Sequence, residues 1–192
     1  MGQYFLAYVR KKNAKRGKAF KSTGGLKLME HSYIGNEFMQ GVCKLIYKTP
    51  SYVVWSGDYF DCTEDQEKVE MSSNDVFVDF ARLWNKSVKG LSEEFDITNK
   101  FLVNHDMKVY INMRDYIDML KCGKMIDEGW VIHPLSLLTA NSNGKGGGDY
   151  WDNCLNYDQV GSWNNCLLEI TDDIPKGYTD VTDDVLFDDG EE

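Results

Sequence analysis

Cysteine is scarce, and its arrangement suits neither of its structural chemistries. The five cysteines (Cys43, Cys62, Cys122, Cys154 and Cys166) are odd in number and include no Cys-x-x-Cys pair. A disulfide framework and a thiolate zinc site are both disfavoured, and the thiols read as free in a reducing compartment. Histidine is scarcer still. His31, His105 and His133 are the only three, and no two have the i, i+4 spacing by which a helix presents paired metal ligands. No metal site and no cofactor is expected. Long apolar runs are missing as well, so nothing approaches the roughly 20 residues that a bilayer-spanning helix needs. In MGQYFLAYVRKK the basic residues follow the apolar run, the reverse of a signal peptide. Leu6 stands where a myristoylation motif at Gly2 needs Ser or Thr. A cytoplasmic protein with no membrane partner is the expectation.

Catalytic signatures are lacking too. There is no Gly-x-Ser-x-Gly elbow, and a cysteine nucleophile would need a histidine that only folding could supply. Gly144-Lys145 is followed by Gly146 rather than Ser or Thr, so the loop is not a Walker A sequence. A dinucleotide fingerprint fails because Asp149 stands where its last glycine belongs.

What is abundant is aromatic and unevenly charged. Five Trp and eleven Tyr exceed what a small core needs. The formal net charge of -10 argues against direct nucleic-acid binding. It also hides an asymmetry: residues 1–29 hold eight Lys or Arg and no acid, and residues 169–192 hold ten acids and one Lys. The basic strip suits either the acidic tail or phosphate.

The segment patterns point to an α+β fold, one compact domain over residues 1–178 with a mixed or antiparallel sheet and a few packed helices. Residues 179–192 read as an acidic, flexible tail. QYFLAYVR, SYVVWSGDY and NNCLLEITD are β-rich runs. FLVNH and KVYINM flank a hairpin at His105-Asp106. Residues 13–25 form a basic turn region. Helical spacing from Leu26 to Tyr47 breaks at Gly35-Asn36, where a turn precedes a shorter helix. Residues 61–74 read as a surface loop, and Asn74 or Asp75 caps a helix through Lys86. RDYIDMLKC reads as one or two helical turns and GWVIHP as a short strand.

The ligand candidates cluster around residues 129–151. An apolar run containing His133 enters a loop of Asn, Ser, Gly and Lys that ends at Asp149. Repeated positive φ can turn several N–H groups of such a loop toward one anion, with Lys145 beside them. The candidate ligand-binding residues are His31, Asn36, Asp58, His133, Asn141, Asn143, Lys145, Gly147 and Asp149. Asp58 ends a strand beside Gly57, a position that also suits a turn cap. Asp183, Asp184, Asp188 and Asp189 are the partner-binding candidates of the tail. Carboxylates spaced among apolar residues imitate a nucleic-acid backbone.

MGQYF at the start, GLKLMEHSYIGNEF at 25–38, VVWSGDYFD at 53–61 and GWVIHPLSLLTANSNGKGGGDYWD at 129–152 resemble a family of uncharacterised proteins found in phages and Gram-positive bacteria. The resemblance covers most of the chain and carries over no catalytic residue. It implies a small accessory factor in the cytoplasm of a host bacterium. The expected function is an anti-defence, anti-CRISPR-like inhibitor. It occupies a host protein's nucleic-acid-binding surface or sequesters a nucleotide signal. The alternative is a small nucleotide- or phosphoester-processing enzyme built around residues 141–149, with Asp58, His133 and Asp149. The expected partner is accordingly a host defence protein or a nucleotide-like ligand.

Overall fold

A computed structural model describes residues 2–59, 88–122, 131–141, 146–150 and 157–185. The fold is α+β, and among the described residues a nine-stranded mixed sheet carries four helices packed on it. The strands are β1 (Phe5–Lys11), β2 (Lys18–Lys21), β3 (Ser51–Gly57), β4 (Lys89–Gly90), β5 (Phe101–Asn104), β6 (Val109–Asn112), β7 (Ala140–Asn141), β8 (Leu167–Thr171) and β9 (Thr179–Asp180). The helices are α1 (Leu28–His31), α2 (Glu37–Ile46), α3 (Met113–Cys122) and α4 (Pro134–Thr139). Spatial order is β4-β2-β1-β3-β8-β5-β6-β9. The pairs from β2 through β6 are antiparallel, and the short outer strands β4 and β9 add in parallel. β3 is shared along one edge. Its first residues pair with β8 and its last, Trp55 and Ser56, with β7.

Register decides which side chains meet the helices. Ala7 faces Trp55 and Val9 faces Val53, so Phe5, Ala7, Val9, Val53 and Trp55 share one side. They join Leu102, Ile111, Leu168 and Ile170 in the main core with the helices. Tyr8, Tyr52, Val54 and Leu167 form a smaller cluster on the other side.

α2 starts because Asn36 Oδ1 accepts the N–H groups of Phe38 and Met39, at 2.9 and 3.4 Å. Gly35 supplies the preceding turn at φ +91°. The helix buries Phe38, Met39, Val42, Cys43 and Ile46, a stripe at helical spacing. At about 1.5–3 kcal/mol for each large side chain, that face anchors the helix.

Three expectations change. The described part of GWVIHP, residues 131–134, does not form a strand. Ile132 makes one isolated bridge to Tyr33, and a helix begins at Pro134. Proline at the first helical position has no N–H to lose and a φ already set for helix. The His133 ring caps that helix by accepting the Leu135 N–H at 3.0 Å. The basic turn region also contains a strand, β2, held to β1 by Ala7–Phe20 and Val9–Lys18 pairing. Of the residues read with the tail, Thr179 and Asp180 belong to the sheet. β9 pairs with β6, a 3-10 turn follows at Asp183–Val185, and Val185 is 3% exposed. The helix expected through Lys86 and the loop expected over 61–74 lie outside the described residues, as do residues 186–192.

Candidate functional site

α1 and the turn after it are flanked by two of the segments singled out in the sequence. On one side the His133 N–H donates to Ser32 O at 2.8 Å and the Ile34 N–H to Val131 O at 2.7 Å. On the other side Met29 N–H donates to Gly148 O at 2.9 Å, and Gln3 N–H to Gly147 O at 3.2 Å. His31, His133, Gly147 and Asp149 are thereby gathered around one short helix. Asn36 lies beyond it as the cap of α2. Asp58 lies at the far end of β3, where Oδ1 accepts the Tyr4 N–H at 2.9 Å and its own N–H donates to Tyr4 O. Asn141 is half-buried in β7. Asn143 and Lys145 lie outside the described residues.

Three of the gathered residues, His31, His133 and Asp149, are interior, whereas Gly147 is exposed. His31 is fully buried and His133 1% exposed. His31 Nε2 accepts the Trp55 indole N–H at 2.9 Å, which places the ring proton on Nδ1. Nδ1 reaches no partner in full hydrogen-bond geometry, although the Gly25 and Lys27 backbones raise the affinity of the ring for its proton. Burial dominates and holds the His31 pKa down to about 4. His133 Nδ1 is occupied by the Leu135 N–H, so Nε2 carries the proton and points it at Cys43 Sγ, 3.2 Å away. Burial pushes the His133 pKa down to about 3 and raises the Cys43 thiol far above its usual range. Thiol and imidazole are both neutral. A thiolate–imidazolium nucleophile needs the opposite charges and access to substrate. The network continues through Tyr150, whose hydroxyl donates to Ser136 Oγ at 3.0 Å, and Ser136 donates to His133 O. His105 is engaged elsewhere. Its ring nitrogens meet Glu169 at 2.8 Å and the Tyr178 hydroxyl at 3.0 Å. Among the described residues no group of three or more His, Cys, Asp or Glu is placed to hold a metal ion.

Asp149 is 3% exposed and accepts the Gly146 N–H at 3.0 Å. The positive φ anticipated in the glycine run falls on Gly148, at +87°. A Cβ there would also sit 2.6 Å from the Lys27 side chain. Gly148→Ala should therefore cost about 1–2 kcal/mol, mostly as backbone strain, and chemical denaturation measures it. An unchanged midpoint would show that the segment readjusts freely.

An acidic groove lies at the β9 end of the sheet. Asp115 and Asp118 of α3 face Asp180, Asp183 and Asp184 across a groove of about 700 Å³. Met119, Val181 and Thr182 complete its lining. Thr182 fixes the wall. Its N–H and hydroxyl donate to Asp180 Oδ1 at 2.9 and 2.5 Å, and its Oγ1 accepts the Asn112 N–H at 2.9 Å. Asn112 Nδ2 donates to Asp115. None of the five carboxylates has a Lys or Arg ion-pair partner among the described residues. The neighbouring Tyr110 phenol registers the field. Burial raises its pKa, and the carboxylates of Asp180 and Asp115 raise it further. Asp183 and Asp184, both tail candidates, belong to this groove, whereas Asp188 and Asp189 lie outside the described residues. Asp115, Asp118 and Asp180 were missed. The first two sit one helical turn apart in RDYID, a spacing that marks a shared face once the helix is recognised.

No family model, no curated protein and no solved structure matches this chain.

Proposed function

We propose that the protein is a phage-type accessory factor that acts by binding. In this reading it is an anti-CRISPR-like, anti-defence inhibitor whose acidic edge occupies the nucleic-acid-binding surface of a host protein. The observation that carries the reading is the groove of Asp115, Asp118, Asp180, Asp183 and Asp184, with no cation paired to any of them among the described residues. A surface built for phosphate presents Lys and Arg, and carboxylates held on a fixed frame satisfy the same field. The hydrogen bonds from Thr182 and Asn112 provide that frame, so fewer side chains need ordering on contact. The sequence resemblance to phage proteins supplies the context, and the net charge of -10 favours a basic partner over nucleic acid itself.

Replacing Asp115, Asp118, Asp183 and Asp184 by Asn keeps side-chain size and removes four charges. The target is captured from host lysate with nucleic acid as competitor, and association is followed by surface plasmon resonance. The Asn variant should associate about tenfold more slowly at low salt, and the gap should close as salt rises. Binding and inhibition equal to the parent at every salt concentration would remove the acidic edge from the mechanism. Asp188→Asn with Asp189→Asn then tests the remaining tail carboxylates separately.

A further inference from the structure

The opposite end of the sheet carries the reverse charge. The pairings Val9–Lys18, Ala7–Phe20 and Phe20–Lys89 place Val9, Lys11, Lys18, Phe20 and Lys89 on the side of the sheet that bears α2. Leu45, near the end of α2, forms the facing wall, and Ala14 and Arg16 from the β1–β2 hairpin close the rim. The result is a cleft of about 720 Å³, within the roughly 300–1,000 Å³ of small-molecule sites. Its apolar lining is Val9, Phe20 and Leu45, and its rim is Lys11, Arg16, Lys18 and Lys89. None of the four cations makes an ion pair among the described residues. The described acidic segment cannot serve them, because β9 lies at the other end of the strand order.

From this juxtaposition we infer a binding site for a phosphorylated nucleoside, its phosphates on the Lys11, Arg16, Lys18 and Lys89 rim and its base against Phe20 and Leu45. An apolar lining inside a cationic rim selects an amphipathic anion over inorganic phosphate. A planar base is the apolar partner that an aromatic ring accepts without regard to sequence. Arginine and lysine supply phosphate contacts that need no further cofactor. The site is independent of the acidic edge and requires none of its carboxylates.

The experiment is calorimetry on the full chain with ATP, a cyclic dinucleotide, adenosine, tripolyphosphate and a single-stranded oligonucleotide of about 12 nucleotides. A nucleotide should bind at least about tenfold tighter than adenosine or tripolyphosphate, since each of those keeps only half of the contacts. Arg16→Glu with Lys18→Glu, both on exposed side chains, should weaken the nucleotide by at least about tenfold. Phe20→Ala should bring its affinity toward that of tripolyphosphate. Asp115→Asn with Asp118→Asn should leave it unchanged. Four results overturn the inference: no heat from any nucleotide with the protein folded, tripolyphosphate binding as well as ATP, the oligonucleotide binding tighter than either nucleotide, or the charge-reversed variant binding like the parent.

Discussion

Thermal stability should fall steeply as pH drops from 6.5 toward 4. His31 and His133 are buried and neutral, with folded pKa values of about 4 and about 3 against 6.5 in the unfolded chain. A depressed folded pKa means that the unfolded chain binds the proton first. The stability these rings contribute is complete above pH 6.5 and is lost as pH falls toward the folded values. At about 1.36 kcal/mol per pH unit and group, the two together cost on the order of 4 kcal/mol by pH 5 and 6 kcal/mol by pH 4. Whole domains hold about 5–15 kcal/mol, so a large share of the stability is lost by pH 4. The carboxylates act lower. Asp96 and Asp172 are held below the usual carboxylate range, Asp96 by its hydrogen bonds from Thr98 and Asp172 by those from Lys100, Lys48 and Tyr47. Their contributions fade only below about pH 4. Urea titrations at half-unit pH intervals provide the check, with imidazole proton shifts read by NMR. Stability that stays flat to pH 4.5 would mean that one or both rings are hydrated and titrate normally.

The same burial explains what could be read along the chain. β1, β3, β8 and the β5–β6 hairpin were legible because alternation and β-branched runs are local signals, as were the Gly35-Asn36 break and the start of α2. The helix at Pro134 was not. Its six residues are all buried, so it has no polar face to give a helical period. β2, flanked by β1 and the two-residue β4, was masked by its own lysines, which a basic surface turn carries equally well. The site was legible in pieces. The local sequence marked His31, His133 and the glycine run as unusual. Only tertiary pairing shows that α1 joins them and that their polar atoms point inward. Asp183 and Asp184 stood out in an acidic tail, whereas their companions Asp115 and Asp118 arrive from a helix far away in sequence. The basic cleft was the least visible, because its apolar lining comes from β1, β2 and α2 and its shape depends on the register of β4.

Replacing Trp55 by Phe should be the most damaging conservative core change. Trp55 is fully buried on β3, its ring 5.8 Å from Phe38 and 6.3 Å from His31 between centroids. Phenylalanine leaves a void where the indole was and removes the donor to His31 Nε2. The void and the lost transfer energy cost about 1–3 kcal/mol, and the orphaned acceptor about 1–3 more. Because the second cost belongs to a stranded partner, removing that partner should recover part of it. His31→Phe combined with Trp55→Phe should therefore lose less than the sum of the single changes, by about 1–2 kcal/mol. The acid sensitivity should separate in parallel. A chain without His31 keeps only the His133 contribution, so its loss between pH 7 and pH 5 should be about half that of the parent. Denaturation of the four chains at both pH values gives the coupling and the pH slope in one experiment. Additive single and double changes with an unaltered pH slope would show that the indole–imidazole bond contributes nothing to stability.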